Sequence, residues 1–452
     1  MDIHKREVVC NHSCAQTGVS AMQKEYVGVS VAVLGFGRSG RAATDFLLER
    51  GADLTVYDAV EPPDAVRAFY STRGVRFCIG AFPSCFSQRL LVRSPVIRPD
   101  HPAIAASLAT GALLTSETEL FIDRCAARVI GVTGSDGKTT TTTLIARLLR
   151  GAGHTVYLGG NNGTPLLPRV GAMTSSDLVV LELSSFQLMT LARSPEIAVI
   201  TNITPNHLNW HTDMAEYVAA KRRIFTQGAK HLVLNAAHAD VGGDLPTTLF
   251  SATAQEFTLR TGGNACRYPV PSEFLLAGQF NRENLAAAYA AVKDLVPYDT
   301  VPAALADFHG VAHRLQYVDT VAGVRYFNSS IDTTPSRTAA TLTAFGERPV
   351  VLVGGRGKGL SLDPLRAVLR RNARVLVAYG ETAAEMSRRL EGIIPIHVFD
   401  DFSAAFYACA RMARAGEAVV LSPACTAFDQ FRDFEARGAA FVTLVKELKR
   451  EL

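Results

Sequence analysis

The chain has 452 residues, 48% of them hydrophobic and 19% charged, with a formal charge of +4. At roughly 100–200 residues per domain this length makes two to four domains with sizeable cores, and so small a net charge, without a Lys/Arg block, argues against a nucleic-acid partner. The eight cysteines lack framework spacing, as in a reduced cytoplasmic protein. No apolar run nears the ~20 residues of a membrane span, and the opening MDIHKREVVCNHSC lacks a signal peptide's apolar centre. The cytoplasm is the expected location.

Residues 1–25 read as a mobile tail, or as a stretch upstream of a start at Met22. Nothing around His4, Cys10, His12 and Cys14 has the periodic apolar pattern needed to hold a metal. From Val29 to Leu34 an apolar strand leads into Gly35-Phe-Gly37-Arg-Ser-Gly40, a helical stretch over Arg41–Arg50, and a second strand, Asp53–Tyr57, ending at Asp58. This is a βαβ unit with a G-x-G-x-x-G turn. Taken alone it suggests a nicotinamide dinucleotide. The glycines fit any diphosphate docked at that helix start, Asp58 fits a ribose or another hydroxyl, and a purely structural turn also satisfies the pattern. A strand at Arg89–Val92, a helix over Pro102–Thr110 and Leu113-Leu114 follow.

A second α/β block opens at Arg128-Val-Ile130, and the segment Gly131–Thr142, GVTGSDGKTTTT, joins this strand to a helix containing Thr143–Arg150. Unpaired N–H groups at the helix start, bare glycines, Lys138 for β/γ-phosphates and Thr139 for Mg²⁺ make a nucleotide-phosphate cradle. Val132 stands where the general P-loop pattern has glycine, which weakens a GTPase or small-kinase reading. Asp177–Glu182 is a buried strand ending in a carboxylate, the position that holds Mg²⁺ or its waters in P-loop enzymes. The strand Ile197–Thr201 runs into a polar loop with His207, and the next helix carries Lys221. Asn281 and Asn284 share one face of an alanine-rich helix and suit a planar polar ring such as adenine; helix capping accounts for one of them but not both.

A third block alternates strands at Val324–Phe327, Val350–Val353, Val375–Tyr379, Ile396–Phe399 and Ala418–Leu421 with helices, which predicts another doubly wound sheet. Its strand ends carry Asn328–Pro335, the glycine-rich Gly354–Gly359 with Lys358, and Ser422–Phe431. Lys358 suits an acidic substrate or a phosphoryl oxygen; a solvated surface lysine is the alternative.

In this order, TGSDGKTTTT, LELSSFQL, NITPNHLNWH, AAKRRIF, FNRENLAAA, AHR and SPACTAFDQFRDFEARG resemble the Mur ligase family of peptidoglycan synthesis, from about Val27 to the C-terminus. LELSSFQL and SPACTAFDQFRDFEARG point to its D-glutamate-adding branch. The resemblance implies an α/β protein of three domains: a Rossmann-like N-terminal domain over 26–125 that binds the UDP-substrate, a central P-loop ATPase domain over 126–313, and a Rossmann-like C-terminal domain over 314–452 for the amino acid. It assigns ATP to Gly134, Ser135, Asp136, Gly137, Lys138, Thr139, Thr140, Asn281, Asn284 and Arg314. UDP-substrate contacts fall on Arg38, Ser39, Asp58, Asn161, Ser184 and His207, and D-glutamate contacts on Thr333, Lys358, Ser422 and Phe434. Thr139 and Glu182 are implied for one Mg²⁺, and His207 with a carbamylated Lys221 for a second. The implied substrates are UDP-N-acetylmuramoyl-L-alanine and D-glutamate, acted on by a monomer.

Three positions depart from the family pattern. Ser329 stands where the family has aspartate, with Asp332 three residues on as a substitute; Ala427 replaces a serine, with Thr426 beside it; Val96 replaces the glycine of Ser-Pro-Gly near the uracil site, limiting backbone approach. The implied reaction passes the γ-phosphoryl of ATP to the alanyl carboxylate, and the D-glutamate amine attacks the acyl phosphate, with Lys138 and Lys358 neutralising charge. Hinge closure near Val311–Arg314 is expected to exclude water. The rival readings are an oxidoreductase, which leaves the second phosphate loop unexplained; a folylpolyglutamate synthetase, whose branch lacks the first domain; and a non-catalytic binding protein.

Overall fold

The computed structural model describes residues 25–345 and 347–451, so the tail expected over 1–25 lies outside the described residues save Glu25. By contact density the chain forms two compact units. Of the described residues, one takes those up to Ala127 together with Gly159–Ser175 and Ser184–Ser194; the other takes Arg128–Leu158, Ser176–Leu183 and those from Pro195 onward.

The first unit is built on strands β1 (Ser30–Leu34), β2 (Asp53–Asp58), β3 (Arg76–Ile79), β4 (Leu90–Arg93) and β5 (Leu113–Thr115), ordered β3-β2-β1-β4-β5. Every pairing is parallel, and the strand order reverses between β1 and β4, the place beyond whose C-terminal strand ends open parallel sheets bind ligands in a crevice. Ala32, Leu34 and Leu91 of these two strands pack with Phe86, Ala103 and Ile104. The helix after β1 spans Arg38–Leu48, starting three residues before the expected Arg41, because Gly37 is already its cap. Strand β3 and the helix Asp64–Ser71 were not legible, since β3 is mostly exposed and carries no apolar alternation.

The second unit holds two sheets. Strands β6 (Arg128–Thr133), β7 (Val156–Gly160), β8 (Leu178–Glu182), β9 (Ile197–Ile200), β10 (His231–Asn235), β11 (Thr247–Ala252), β12 (Glu256–Thr261) and β13 (Asn264–Pro269) run in the order β13-β12-β11-β10-β9-β6-β8-β7. The β6 strand reaches Thr133, so Gly131 and Val132 lie in the strand and the phosphate loop shrinks to Gly134–Gly137. Gly131 therefore serves packing: a Cβ there would come 2.6 Å from Pro195. The antiparallel strands β11 to β13 had a readable signal in the Gly262-Gly263 turn between two short runs.

The remaining strands are β14 (Gln316–Val321), β15 (Val324–Asn328), β16 (Val350–Gly354), β17 (Val375–Tyr379), β18 (Ile396–Phe399) and β19 (Ala418–Ala424), ordered β14-β15-β19-β16-β17-β18. Side chains alternate between the two faces of a strand. Accordingly Val350, Leu352, Val375 and Val377 pack with the helix residues Phe402, Phe406 and Phe441 on one face, while Val351, Val353, Leu376 and Ala378 pack with Leu342, Leu365 and Leu369 on the other. A sheet covered on both faces is what the apolar runs predict. The edge strand β14 pairs antiparallel with β15 through a two-residue turn in which Ala322 and Gly323 both have positive φ.

Candidate active site

The phosphate loop has the geometry of an anion cradle. Gly137 caps the helix Lys138–Gly151 in the left-handed region, φ 79°, and no side chain caps the helix start, so its first N–H groups stay available to phosphate oxygens. A Cβ at Gly137 would overlap Oδ1 of Asn284, and one at Gly134 would overlap the Thr201 hydroxyl. The loop is clamped from the end of β9. Ser135 N donates to Asn202 O (3.0 Å), Asp136 N to Asn202 Oδ1 (3.0 Å), and Thr201 Oγ1 to Asp136 O (2.6 Å). Lys138 Nζ donates to the carbonyls of Gly134 and Ser135, both at 2.9 Å. Burial pushes its ammonium below the ordinary lysine range, with Glu182 and Asp136 pulling it back up. A phosphate would supply the counter-charge that those carbonyls supply only as dipoles.

Glu182, 2% exposed, ends β8, where it pairs across from Val132 of β6. Its charge is felt by Lys138, the first residue of the helix that also carries Thr139, and by Arg314. Among the described residues no group of three or more His, Cys, Asp or Glu side chains could hold a metal. A cation here has one carboxylate, a hydroxyl and nucleotide oxygens to bind, all hard oxygen donors, and that donor set fits Mg²⁺.

Lys221 is 1% exposed on the helix Met214–Thr226. Its Nζ lies 4.5 Å from the ring centre of Tyr217, one turn earlier, and no hydrogen bond or ion pair to it is found among the described residues. Burial holds its pKa well below the lysine range; the charge of Lys138 adds to this and Asp136 opposes it. Tyr217 in turn bonds Ser135 Oγ at 2.9 Å, linking the Lys221 helix to the phosphate loop. His207 sits in the loop after β9 with φ 55°. Desolvation first, then Lys138 and Lys221, lower its pKa, so the ring stands in the same electrostatic neighbourhood as both lysines.

Asn281 and Asn284 are each 3% exposed. Neither caps the helix Gln279–Val292, whose cap is Gly278. Asn284 Oδ1 accepts from Thr141 Oγ1 (3.2 Å), its Nδ2 donates to Asn281 Oδ1 (3.3 Å), and Asn281 Nδ2 donates to Ala277 O (2.7 Å). The pair thus braces the phosphate loop from behind. Arg314 lies between His313 (φ 63°) and Leu315 (φ 44°), two non-glycine residues in the left-handed region. Desolvation lowers its pKa, Glu182, Asp332 and Asp136 raise it, and Arg337 lowers it. Arg314 therefore shares the field of the phosphate-loop groups.

At the end of the last sheet, Lys358 Nζ donates to Thr333 Oγ1 at 3.1 Å, so two of the four expected amino-acid contacts meet. Lys358 also lines a pocket with Pro335, Thr382, Met386 and Cys425. Ser422 is fully buried, its hydroxyl donating to Asp332 Oδ2 (2.8 Å). Asp332 also accepts from Thr341 Oγ1 (2.8 Å), and burial raises its pKa. Both groups are committed to the interior of the sheet's end. Thr426 hydroxyl donates to Arg356 O (2.8 Å). The Phe434 ring meets the His313 ring edge-on at 6.0 Å.

Arg437, one turn after Phe434, went unread in the sequence. Fully buried, it donates to Ser330 Oγ (2.9 Å), Ser330 O (2.9 Å), Cys425 O (3.1 Å) and Thr426 O (3.1 Å). It thereby ties the loops after β15 and β19, and its spacing of three from Phe434 was the available signal.

In the first unit, Asp58 accepts from Phe36 N (2.6 Å) and Val60 N (2.9 Å), closing the glycine turn in which Arg38 and Ser39 open the helix. The Arg38 guanidinium lies so close to Gly163 that a Cβ there would overlap it, which brings Arg38 to the loop of Asn161. Ser184 caps the helix Ser185–Leu188 in a reciprocal box with Gln187, and Gln187 Nε2 donates to Thr118 Oγ1 (3.1 Å). Val96 is 70% exposed.

Three family models match: "Mur ligase MurD-like, N-terminal domain" over residues 29–116, "Mur ligase middle domain" over 132–292 and "Mur ligase, glutamate ligase domain" over 313–425. The chain is 36% identical over 459 residues to the UDP-N-acetylmuramoylalanine--D-glutamate ligase of Ruminiclostridium cellulolyticum, covering 94% of this chain and 98% of that one. It is 37% identical over 448 residues to the same-named ligase of Clostridium acetobutylicum, covering 92% and 96%. Among solved structures it resembles the UDP-N-acetylmuramate-alanine ligase of Thermotoga maritima (TM-score 0.53, 18% identity, 92% of this chain and 99% of that one). The MurF ligase of Thermotoga maritima in complex with ADP gives TM-score 0.54 at 16% identity, covering 95% and 99%. At such identities the two structures speak for the fold.

Proposed function

The chain belongs to the Mur ligase family, and from that premise we propose that it is an ATP-dependent, ADP-forming ligase that joins D-glutamate to UDP-N-acetylmuramoyl-L-alanine in peptidoglycan precursor synthesis. The observation that carries the reading is the Gly134–Lys138 cradle, with the buried carboxylate of Glu182 and the buried amine of Lys221 at the end of one sheet.

A carboxylate does not form an amide with an amine until its oxygen becomes a leaving group. The γ-phosphorus of ATP bonds to the alanyl carboxylate oxygen as its bond to the β-bridging oxygen breaks, giving ADP and an acyl phosphate. The D-glutamate nitrogen then bonds to the acyl carbon, an N–H proton leaves, and the tetrahedral species expels phosphate. Phosphoryl transfer of this kind depends mainly on positioning and charge neutralisation. Lys138 leaves its loop carbonyls for the β/γ-phosphates, Arg314 adds a second cation, and the first-turn N–H groups of Lys138–Gly151 hold the phosphate oxygens. Asn281 and Asn284 keep the loop in shape. Lys358 and Thr333 receive the D-glutamate carboxylate, and Phe434, against His313, belongs to the same proposed set.

Mg²⁺ held by Thr139 and Glu182 supplies charge neutralisation on the phosphates when bound. A second ion by His207 requires Lys221 as its carbamate, since an ammonium repels a cation. The amine nitrogen bonds to the carbon of CO₂ and releases one proton to solvent. A buried amine with no carboxylate bonded to it among the described residues, its pKa depressed, suits that modification.

In the first unit, Arg38 and Ser39 at the glycine turn, Asp58, Asn161 and Ser184 bind the UDP-substrate. The three sheets are read as domains over 26–125, 126–313 and 314–452, with closure about Val311–Arg314 excluding water from the acyl phosphate. The strained pair His313 and Leu315 supports a hinge there. The enzyme acts as a monomer in the cytoplasm; no described helix is long and apolar enough to cross a membrane. Phosphate release with UDP-N-acetylmuramoyl-L-alanine against a panel of amino acids tests the reading. D-Glutamate alone should give full turnover, and equal rates with other amino acids would overturn it.

A further inference from the structure

Where the strand order of the first sheet reverses, between β1 and β4, the last residue of β4 is Arg93. Arginine is an unusual residue for this place, because the position is 1% exposed and its strand neighbours are apolar. Its guanidinium acts as a fork. Nη1 donates to the carbonyls of Ile97 (2.6 Å), Pro95 (3.1 Å) and Ser94 (3.4 Å). Nη2 donates to the carbonyl of Phe186 (2.8 Å) and the hydroxyl of Thr190 (3.4 Å), and that hydroxyl in turn donates to Glu119 Oε2 (3.3 Å).

One of the two segments so joined directly follows β4 at the point where the strand order reverses, and the fork brings the other to it. Ser94–Ile97 forms the turn after β4, packed so tightly on the glycine turn after β1 that a Cβ on Gly35 would come 2.8 Å from Ser94 Cβ. Phe186 lies in the turn capped by Ser184. Four of the five acceptors are backbone carbonyls, so the fork fixes main-chain position rather than side-chain rotamers. A lysine has three donors on one atom and no fork to match them.

We propose that Arg93 is a positioning residue that sets the width of the uridine-diphosphate crevice by locking the Ser94–Ile97 turn to the Ser184–Thr190 segment. This rests on the reading of the first unit as the UDP-substrate site. The β4 turn carries the exposed Val96, and the crevice owes its shape to whatever holds that turn.

The test is Arg93→Met in the full chain, with UDP alone titrated calorimetrically and steady-state constants measured for each substrate. The UDP Kd and the KM for the UDP-substrate should each rise at least tenfold. The kcat at saturation should stay within threefold, and the KM values for ATP and D-glutamate should not move. Arg93→Lys should fall between variant and parent. A fall in kcat with parental KM and Kd would make Arg93 merely structural and overturn the proposal. Should Arg93→Met not yield folded protein, Thr190→Val decides, since it removes one contact of the fork, together with the hydroxyl's bond to Glu119, and leaves the carbonyls satisfied. A threefold rise in the UDP Kd supports the proposal, and a parental Kd refutes it. A parent that binds UDP without ligating D-glutamate would sink the proposed function while leaving the UDP titrations to judge Arg93.

Discussion

Replacing Gly137 by alanine tests whether the phosphate loop owes its shape to the steric latitude of glycine. Two costs follow from the structure. The residue has φ 79°, and a non-glycine residue in the left-handed region costs roughly 1–2 kcal/mol. The new Cβ would also overlap Asn284 Oδ1, forcing away the carboxamide that accepts from Thr141 and donates to Asn281. Leaving such buried groups unsatisfied costs about 1–3 kcal/mol. The two together come to about 3 kcal/mol, or roughly a hundredfold at 1.4 kcal/mol per decade. Calorimetric titration with ATP should show that loss for Gly137→Ala. In the double variant Gly137→Ala, Asn284→Ala the overlap disappears, and the backbone cost and the loss of the Thr141 and Asn281 bonds are each incurred once, so the two substitutions should be less than additive. ATP affinity within threefold of the parent for Gly137→Ala, at unchanged Tm, would refute the reasoning.

Three further predictions concern other parts of the two units. Lys221→Ala should abolish turnover, with partial rescue by short carboxylates that supply the oxygens of the carbamate; full activity without rescue would remove Lys221 from the mechanism. Lys358→Met should raise the KM for D-glutamate at least tenfold and lower kcat while leaving ATP affinity unchanged, and a parental D-glutamate KM would refute its role beside Thr333. Burial raises Glu117 and Glu119 from 4.5 to about 7. In the native state they stay protonated where the unfolded chain has lost those protons. Their stabilising contribution is complete below about pH 4.5 and is lost as pH rises towards 7, by up to about 3 kcal/mol each. Urea titrations from pH 4.5 to 7.5 should show that decline, and it should flatten in the Glu117→Gln, Glu119→Gln variant.

Much of the fold was legible because parallel strands buried on both faces leave uninterrupted apolar runs, as in Val350–Val353 and Val375–Tyr379. The edges were harder. Strand β3 has four residues and no alternation, the edge strand β13 is mostly exposed, and β14 hides beside a two-residue turn at Ala322-Gly323; in β12 the alternation of Phe257 and Leu259 with polar neighbours was present and went unread. Gly131 looked like part of the phosphate loop because a glycine needed for contact with Pro195 reads the same as one needed for a phosphate.

The site was legible where side chains follow a local rule. Lys138 and Thr139 are expected at a helix start and Glu182 at a strand end, and those are the element positions they hold. What escaped were residues whose work is long-range. Arg93 and Arg437 each hold main-chain carbonyls of other segments, 93 and 107 positions away in their longest reaches, and nothing nearby in sequence announces such a fork. Tyr217 could have been found from its spacing of four before Lys221 on one helix face. Ser422 and Asp332 lie at the right strand ends, yet their hydroxyl and carboxylate bond to each other, a pairing that only the sheet order of β15 and β19 creates.

The most direct test of the whole account is a single reaction mixture of the purified chain with ATP, Mg²⁺, UDP-N-acetylmuramoyl-L-alanine and D-glutamate, followed for ADP, phosphate and the amide product. The account predicts all three in equal amounts, each dependent on every substrate, and a loss of at least a hundredfold in Lys138→Ala. No ADP from the complete mixture, or a parental rate from Lys138→Ala, would contradict it.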